Sequence, residues 1–219
     1  MREHWRVPQW TAYIKVKDIP IMSRTRQDIN SLVDHTDNNK LAPVDIVNIA
    51  YNDPFFSLRL LLKAEQKRSK SSLSKDSTTV LTCIMQSGID SILADVSIAP
   101  ICPDTDGLHR CERRAALAAH IAKNWGIYRA DISPDEIAMA SLLSDLGELM
   151  LWLFAPELPQ NALNELFSGR ASRNRQAQIQ TAGFGFKDLS IALADAWNLP
   201  LPVKQLMGLA DNPRARLAK

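Results

Sequence analysis

The sequence predicts an all-α protein, a two-lobed bundle of many helices. Three observations carry that prediction. Apolar residues recur at helical spacing through most segments. Sharp helix-start signals such as "NDPF" at 52–55 and "SPDE" at 133–136 punctuate the chain. No alternating run bounded by turn residues argues for a sheet. With 219 residues, 46% hydrophobic and 23% charged, the chain can bury a substantial core and is not globally disordered.

The first 18 residues read as an N-terminal arm. "REHWRVPQWTAYIKVK" mixes Trp5, Trp10 and Tyr13 with Arg2, Arg6, Lys15 and Lys17. Aromatics beside arginine are common interface anchors, which makes Trp5, Trp10 and Tyr13 candidate interface residues. The equal alternative is an arm folded back over a hydrophobic gap on its own domain.

A first helical lobe is expected over 19–98. Ser23 reads as the N-cap of a helix running to about Asp34, followed by the polar loop "HTDNNK" at 35–40. Pro43 lies near the start of the next helix, and Asp53 caps another that has Pro54 at its first position. A Ser- and Lys-rich loop covers 67–77, and two short helices flank Gly88. "IAPICPDTDG" at 98–107 is the predicted linker. The second lobe, 107–219, opens with a long helix from about Leu108 to Trp125, whose stripe Cys111, Ala115, Ala118, Ala122 and Trp125 is expected to be buried. Ser133 then caps a helix continuing to about Phe154, and shorter helices follow near 157–168, 172–182 and 187–197 before a last one beyond Pro202.

Composition narrows the function classes. The longest apolar run, Leu149 to Ala155, falls far short of the roughly 20 residues of a membrane span, and the N-terminus lacks a secretory core. Three cysteines without a CxxC give neither a disulfide framework nor a thiolate zinc knuckle, so reduced thiols in a cytoplasmic setting are expected. Residues 1–75 hold 13 Lys/Arg against 8 Asp/Glu, whereas 76–219 hold 13 against 16. That modest basic bias reads as a solvated face sooner than a nucleic-acid footprint. No GxSxG, GxxxxGK[ST] or HExxH occurs.

Several stretches resemble the HDOD (HD-related output domain) family of bacterial signalling proteins: "IP" at 19–20, "LAPVDIVNIAYNDPFFSLRLLLKA" at 41–64, "CIMQSG" at 83–88, "SLLSDLGELMLW" at 141–152 and "GFGFKDLSIALADAWNLP" at 183–200. Together they span about residues 19–213. The resemblance implies an ancestral link to HD phosphohydrolases, in which histidines and a His-Asp pair hold divalent metal that activates water. Here the matching pair is Ser144-Asp145, and Phe186 stands at the family's later histidine. A hydroxyl is a poor substitute for imidazole on a transition metal, and a phenyl ring ligates nothing. The later histidine pair falls near Leu209, Ala210 and Asp211, and the first ligand would fall around Cys111 to Arg113, neither of which supplies a histidine.

The four histidines do not rebuild the site. His4 lies in the arm and His35 in a loop, while His109 and His120 are predicted to face solvent about 16 Å apart along one helix. Cys111 has arginines nearby but reads as a buried, inert thiol. Ser141, Ser144, Asp145 and Glu148 fall within one arc of an otherwise apolar helix and form a candidate residual pocket. Their carboxylates could hold Mg²⁺ through oxygen or pair with Arg113 or Arg114.

No catalytic residue, metal ligand or cofactor is therefore assigned. The leading expectation is a non-catalytic cytoplasmic signalling module that contacts other signalling proteins, with homo-oligomerisation open and no membrane partner. The alternatives are a metal-dependent phosphohydrolase with rearranged ligands and a nucleotide- or nucleic-acid-binding regulator.

Overall fold

The structure is a computed structural model that describes residues 5–35, 41–68, 79–129 and 133–209. His4, most of the loops predicted at 35–40 and 67–77, and Ala210 and Asp211 lie outside the described residues. The described residues form α-helices joined by short turns, as predicted, with one isolated parallel bridge between Ile21 and Ile101. They divide into two compact units: residues 1–17, 103–112 and 144–219 in one, and residues 18–102 and 113–143 in the other.

This division departs from the lobes predicted along the chain. The arm joins the C-terminal helices, and residues 113–143 join the first lobe. Helix α7 (Asp106–Ile127) is the reason: one continuous helix leaves one unit and enters the other, and sequence continuity hides the crossing.

The unit built around residues 18–102 contains α2 (Ser23–His35), α3 (Pro43–Ala50), α4 (Pro54–Arg68), α5 (Val80–Ser87), α6 (Ile89–Ile98), the later turns of α7 and α8 (Pro134–Leu142). Its core is the "DPFF" helix. Phe55, Phe56, Leu58 and Leu61 of α4 are all buried, and α4 packs on α5. Asp53 starts that helix as predicted. Its Oδ1 accepts the N–H groups of Phe55 (2.9 Å) and Phe56 (3.1 Å). Its Oδ2 accepts the Met22 N–H (2.9 Å) and the Thr25 hydroxyl (2.7 Å). Complete burial pushes this carboxyl above the ordinary value, while the four donors pull it back.

Cations that could have formed a basic surface are instead committed within this unit. Arg59 reaches Asp95 through two guanidinium N–H bonds (2.9 and 2.8 Å) and also contacts Asp18 and the Ile19 carbonyl. Arg26 donates to the Val96 (3.1 Å) and Ala99 carbonyls. Lys63 and Lys67 donate to the Ser91 and Ser87 carbonyls, each at 2.7 Å. Both ammonium groups thereby bind main-chain oxygens, Lys63 half-buried and Lys67 at the exposed surface.

Desolvation raises the Asp95 carboxyl, but the Arg59 hydrogen bonds and the charges of Arg59 and Lys63 outweigh it and hold the pKa below the usual value. A depressed folded-state pKa stabilises above the unfolded value of about 3.9, and that contribution is lost as pH falls through the folded value. Denaturant titrations from neutral pH into acid should show the loss in the wild type. Asp95→Asn should flatten that part of the profile; an unchanged acid limb would assign it elsewhere.

At the α7–α8 side of the same unit, Tyr51 donates its hydroxyl to Asp135 Oδ1 (3.1 Å), and Lys123 pairs with the same oxygen (2.9 Å). Burial and then the Asp135 charge push the Tyr51 phenol far up, so it stays protonated. Ser133 caps α8 by accepting the Glu136 N–H at 3.4 Å.

The other unit holds α1 (Val7–Lys15), the first turns of α7, α9 (Leu146–Phe154), α10 (Glu157–Phe167), α11 (Asn174–Ala182), α12 (Phe186–Ala196) and α13 (Leu201–Leu209). Helices α9 and α1 both pack on α12 in the same unit. The predicted arm is thus a helix, and it takes the folded-back alternative. Trp10 is buried at 1% exposure, edge-on to Trp5 (5.0 Å) and Tyr13 (6.0 Å), and Tyr13 meets Phe154 at 6.1 Å. Arg6 fastens the helix start by donating to the Gly183 carbonyl at 2.6 Å. Trp10 is consequently a core residue, while Trp5 and Tyr13 remain half-buried.

Candidate functional site

The stretch predicted as one helix through 138–154 is interrupted. α8 ends at Leu142, residues 143–145 form a turn, and α9 begins at Leu146. The interruption coincides with a seam between α9 and α12. The Gly147 N–H donates to Ser190 Oγ at 2.8 Å, and a Cβ at 147 would stand 2.2 Å from the Phe186 carbonyl oxygen. Two helix backbones meet there with no room for a side chain.

The predicted polar arc is correspondingly split. Ser141 is half-buried in α8, in the unit around residues 18–102. Ser144 is half-buried and Asp145 exposed, both in the turn, and Glu148 is half-buried in the first turn of α9. Glu148 accepts the Trp152 indole N–H at 3.4 Å. The arc's clearest local consequence is therefore the orientation of a tryptophan.

Trp152 is one wall of an open cleft of about 400 Å³ within the same unit, shared with Thr105, Asp106, Gly107, Arg110, Glu157 and Gln160. Its ring lies flat enough on Gly107 that any Cβ there would come within 2.3 Å of it. The lining mixes one arginine with two carboxylates and offers no histidine, cysteine or lysine. Such a cleft can hold a small polar molecule but brings no nucleophile–base pair together.

The positions matched to the HD ligands do not fit a transition metal. Phe186 is buried at 4% exposure, edge-on to Phe184 at 6.3 Å, and the Phe186 N–H is held by Gln178 Oε1 at 3.0 Å. Among the described residues, no three His, Cys, Asp or Glu side chains come together as ligands. His109 Nε2 lies 2.7 Å from Asp104 Oδ1, and His120 Nε2 lies 2.9 Å from Asn52 Oδ1. His120 is exposed as expected, whereas His109 is only half-exposed. Cys83, Cys102 and Cys111 form no disulfide and are all buried.

Glu112 escaped the sequence reading. It is fully buried in α7, one turn from Leu108 and one turn from Ala116, which are also buried. Those i±4 neighbours were the available signal; the charge argued the other way.

The HDOD domain profile matches residues 77–213, and the chain belongs to the HDOD family. Among solved structures it is similar to a virulence factor of Campylobacter jejuni subsp. jejuni (TM-score 0.73, 16% identity, covering 96% of this chain and 79% of that one). It is also similar to the MmoQ response regulator of Methylococcus capsulatus str. Bath (TM-score 0.71, 18% identity, 91% and 78% covered). At these identities the likeness speaks to the fold. No curated protein matches the chain. The apolar stretch Pro134–Phe154 has the length and hydropathy of a membrane span, but 61% of its window is buried, as in a core helix.

Proposed function

We propose that this HDOD domain is a non-catalytic bacterial signalling module, working in the cytoplasm, that acts by binding other proteins. The observation that supports it best is Phe186. An aromatic core residue stands where the HD pattern places a histidine, and its backbone and ring are both engaged in packing α12. Restoring a ligand there would need more than one substitution, because Ser144 supplies no imidazole either. The commitment of Arg26, Arg59 and Lys63, all half-buried, to internal partners favours this reading over a nucleic-acid binder.

Elemental mass spectrometry of freshly purified, untagged protein tests the proposal. The expected result is no stoichiometric Mn, Fe, Ni or Zn, and no phosphodiester or phosphomonoester hydrolysis. About one transition-metal ion per chain, with hydrolysis abolished by Asp145→Ala, would make the protein a phosphohydrolase instead.

A further inference from the structure

Helix α7 was expected to bury Trp125 together with a stripe of alanines, and it does the reverse with its largest residues. In the unit around residues 18–102 it buries small ones: Ala115, Ala116, Ala119 and Gly126. At Gly126 a Cβ would lie 3.0 Å from Pro134 Cα and 3.2 Å from Ile137 Cγ2, so α7 approaches α8 closely on that face. The opposite face carries Leu117 (61% exposed), Ile121 (60%) and Trp125 (51%), one per turn, and Tyr128 (89%) in the turn that follows. A seam at i, i+4 and i+8 is the pattern by which one helix receives another. Exposed apolar side chains scattered singly are ordinary; four aligned over three turns, two of them aromatic, mark a contact surface.

Charge selects the occupant. From residue 113 to residue 129 the sequence has four Lys/Arg and no Asp/Glu. Lys123 pairs with Asp135, and Arg113, Arg114 and Arg129 are exposed beside the seam, the last with its guanidinium 5.2 Å from the Trp125 ring centroid. A second copy docked about a two-fold axis would bring this cationic border against itself. An anionic bilayer would attract the same charges, and vesicle binding is therefore the competing outcome that the test must read.

We propose that the outward face of α7, with Leu117, Ile121, Trp125 and Tyr128 as its apolar seam, binds an acidic amphipathic helix of a partner protein. The inference rests on reading the domain as an interaction module and names the class of partner.

The test uses the full chain and two synthetic helical peptides with the same leucine seam, one flanked by Glu and one by Lys, followed by fluorescence anisotropy. The Glu peptide should bind at least about tenfold more tightly than the Lys peptide, a difference of about 1.4 kcal/mol. Ile121→Ser, at an exposed position, should weaken Glu-peptide binding about tenfold without moving the thermal midpoint. Arg113→Glu combined with Arg114→Glu should reverse the peptide preference.

Equal binding of both peptides, or no Glu-peptide binding up to about 1 mM, the weak end of recognition, overturns the proposal. So does a dimer that Ile121→Ser abolishes in sedimentation, which would assign the seam to a second copy. Co-sedimentation with phosphatidylserine vesicles in place of peptide binding would assign it to a membrane. Metal-dependent hydrolysis would instead overturn the functional reading, and it is scored separately from any of these binding results.

Discussion

Asp53→Ala is expected to destabilise the unit around residues 18–102 by roughly 4 kcal/mol, combining a lost N-cap of about 1 kcal/mol with buried N–H groups left unsatisfied at about 1–3 kcal/mol each. The carboxylate is fully buried and accepts four hydrogen bonds that join two separate segments of chain. Two hold the first turn of α4, and two hold Met22 and Thr25 at the start of α2. Removing the side chain therefore releases the entry to two helices at once. Thermal unfolding monitored by circular dichroism would register the loss as a drop of about 8–16 °C, at 2–4 °C per kcal/mol for a chain of this size.

Asp53→Asn separates the two halves of that network. Asparagine is a good N-cap and can keep one oxygen on the Phe55 and Phe56 amides. Its NH₂ group would then face the Met22 N–H, donor against donor. The expected cost is intermediate between wild type and Asp53→Ala. If Asp53→Asn proves as damaging as Asp53→Ala, the link to Met22 and Thr25 dominates; if it is neutral, capping of α4 dominates. A wild-type midpoint for Asp53→Ala would mean that solvent replaces the carboxylate, contrary to its complete burial.

The Asp53 cap was legible because its signal is local: Asp followed by Pro, then an apolar run. The same holds for Ser133 and for most helix limits, which fall within a few residues of those predicted. What the sequence hid depends on partners far along the chain. Whether Trp10 faces solvent or core depends on helices more than a hundred residues later. On α7 the expected stripe holds for Cys111 and Ala115 but not for Trp125, because close approach to α8 favours small side chains, so the alanine and glycine face lies inside and Trp125 lies outside with Leu117 and Ile121. Ser144 and Phe186, neither able to offer an imidazole, were legible as residue identities. The splitting of the Ser141–Glu148 arc was not, because helical projection assumes an unbroken helix.

Gly147 supplies the second large effect, and here two physical expectations have opposite signs. By helix propensity alone, Gly147→Ala in α9 should stabilise by about 1 kcal/mol. By packing it should destabilise, because the added Cβ would stand 2.2 Å from the Phe186 carbonyl oxygen and 2.8 Å from the Ser190 nitrogen. Both are backbone atoms of the segment forming α12, so no rotamer change can relieve the clash. The two helices must move apart, which would also stretch the 2.8 Å bond from the Gly147 N–H to Ser190 Oγ. Overpacking of this kind costs about 1–3 kcal/mol, and the weakened hydrogen bond adds about 1 kcal/mol, so packing outweighs propensity.

The expected outcome for Gly147→Ala is a net loss of about 1–3 kcal/mol by denaturant titration, with Gly147→Val worse because of its branched side chain. Ser190→Ala tests the hydrogen bond without the clash. It should cost about 1–3 kcal/mol if the Gly147 N–H is left unsatisfied. A stabilised Gly147→Ala would show that α9 and α12 can separate freely, and the seam would then not be what sets the turn between α8 and α9. A destabilised Gly147→Ala with a neutral Ser190→Ala would place the constraint in backbone proximity alone. The glycine of the "SDLGEL" stretch would then be kept by the packing of α9 on α12, whatever the neighbouring positions do.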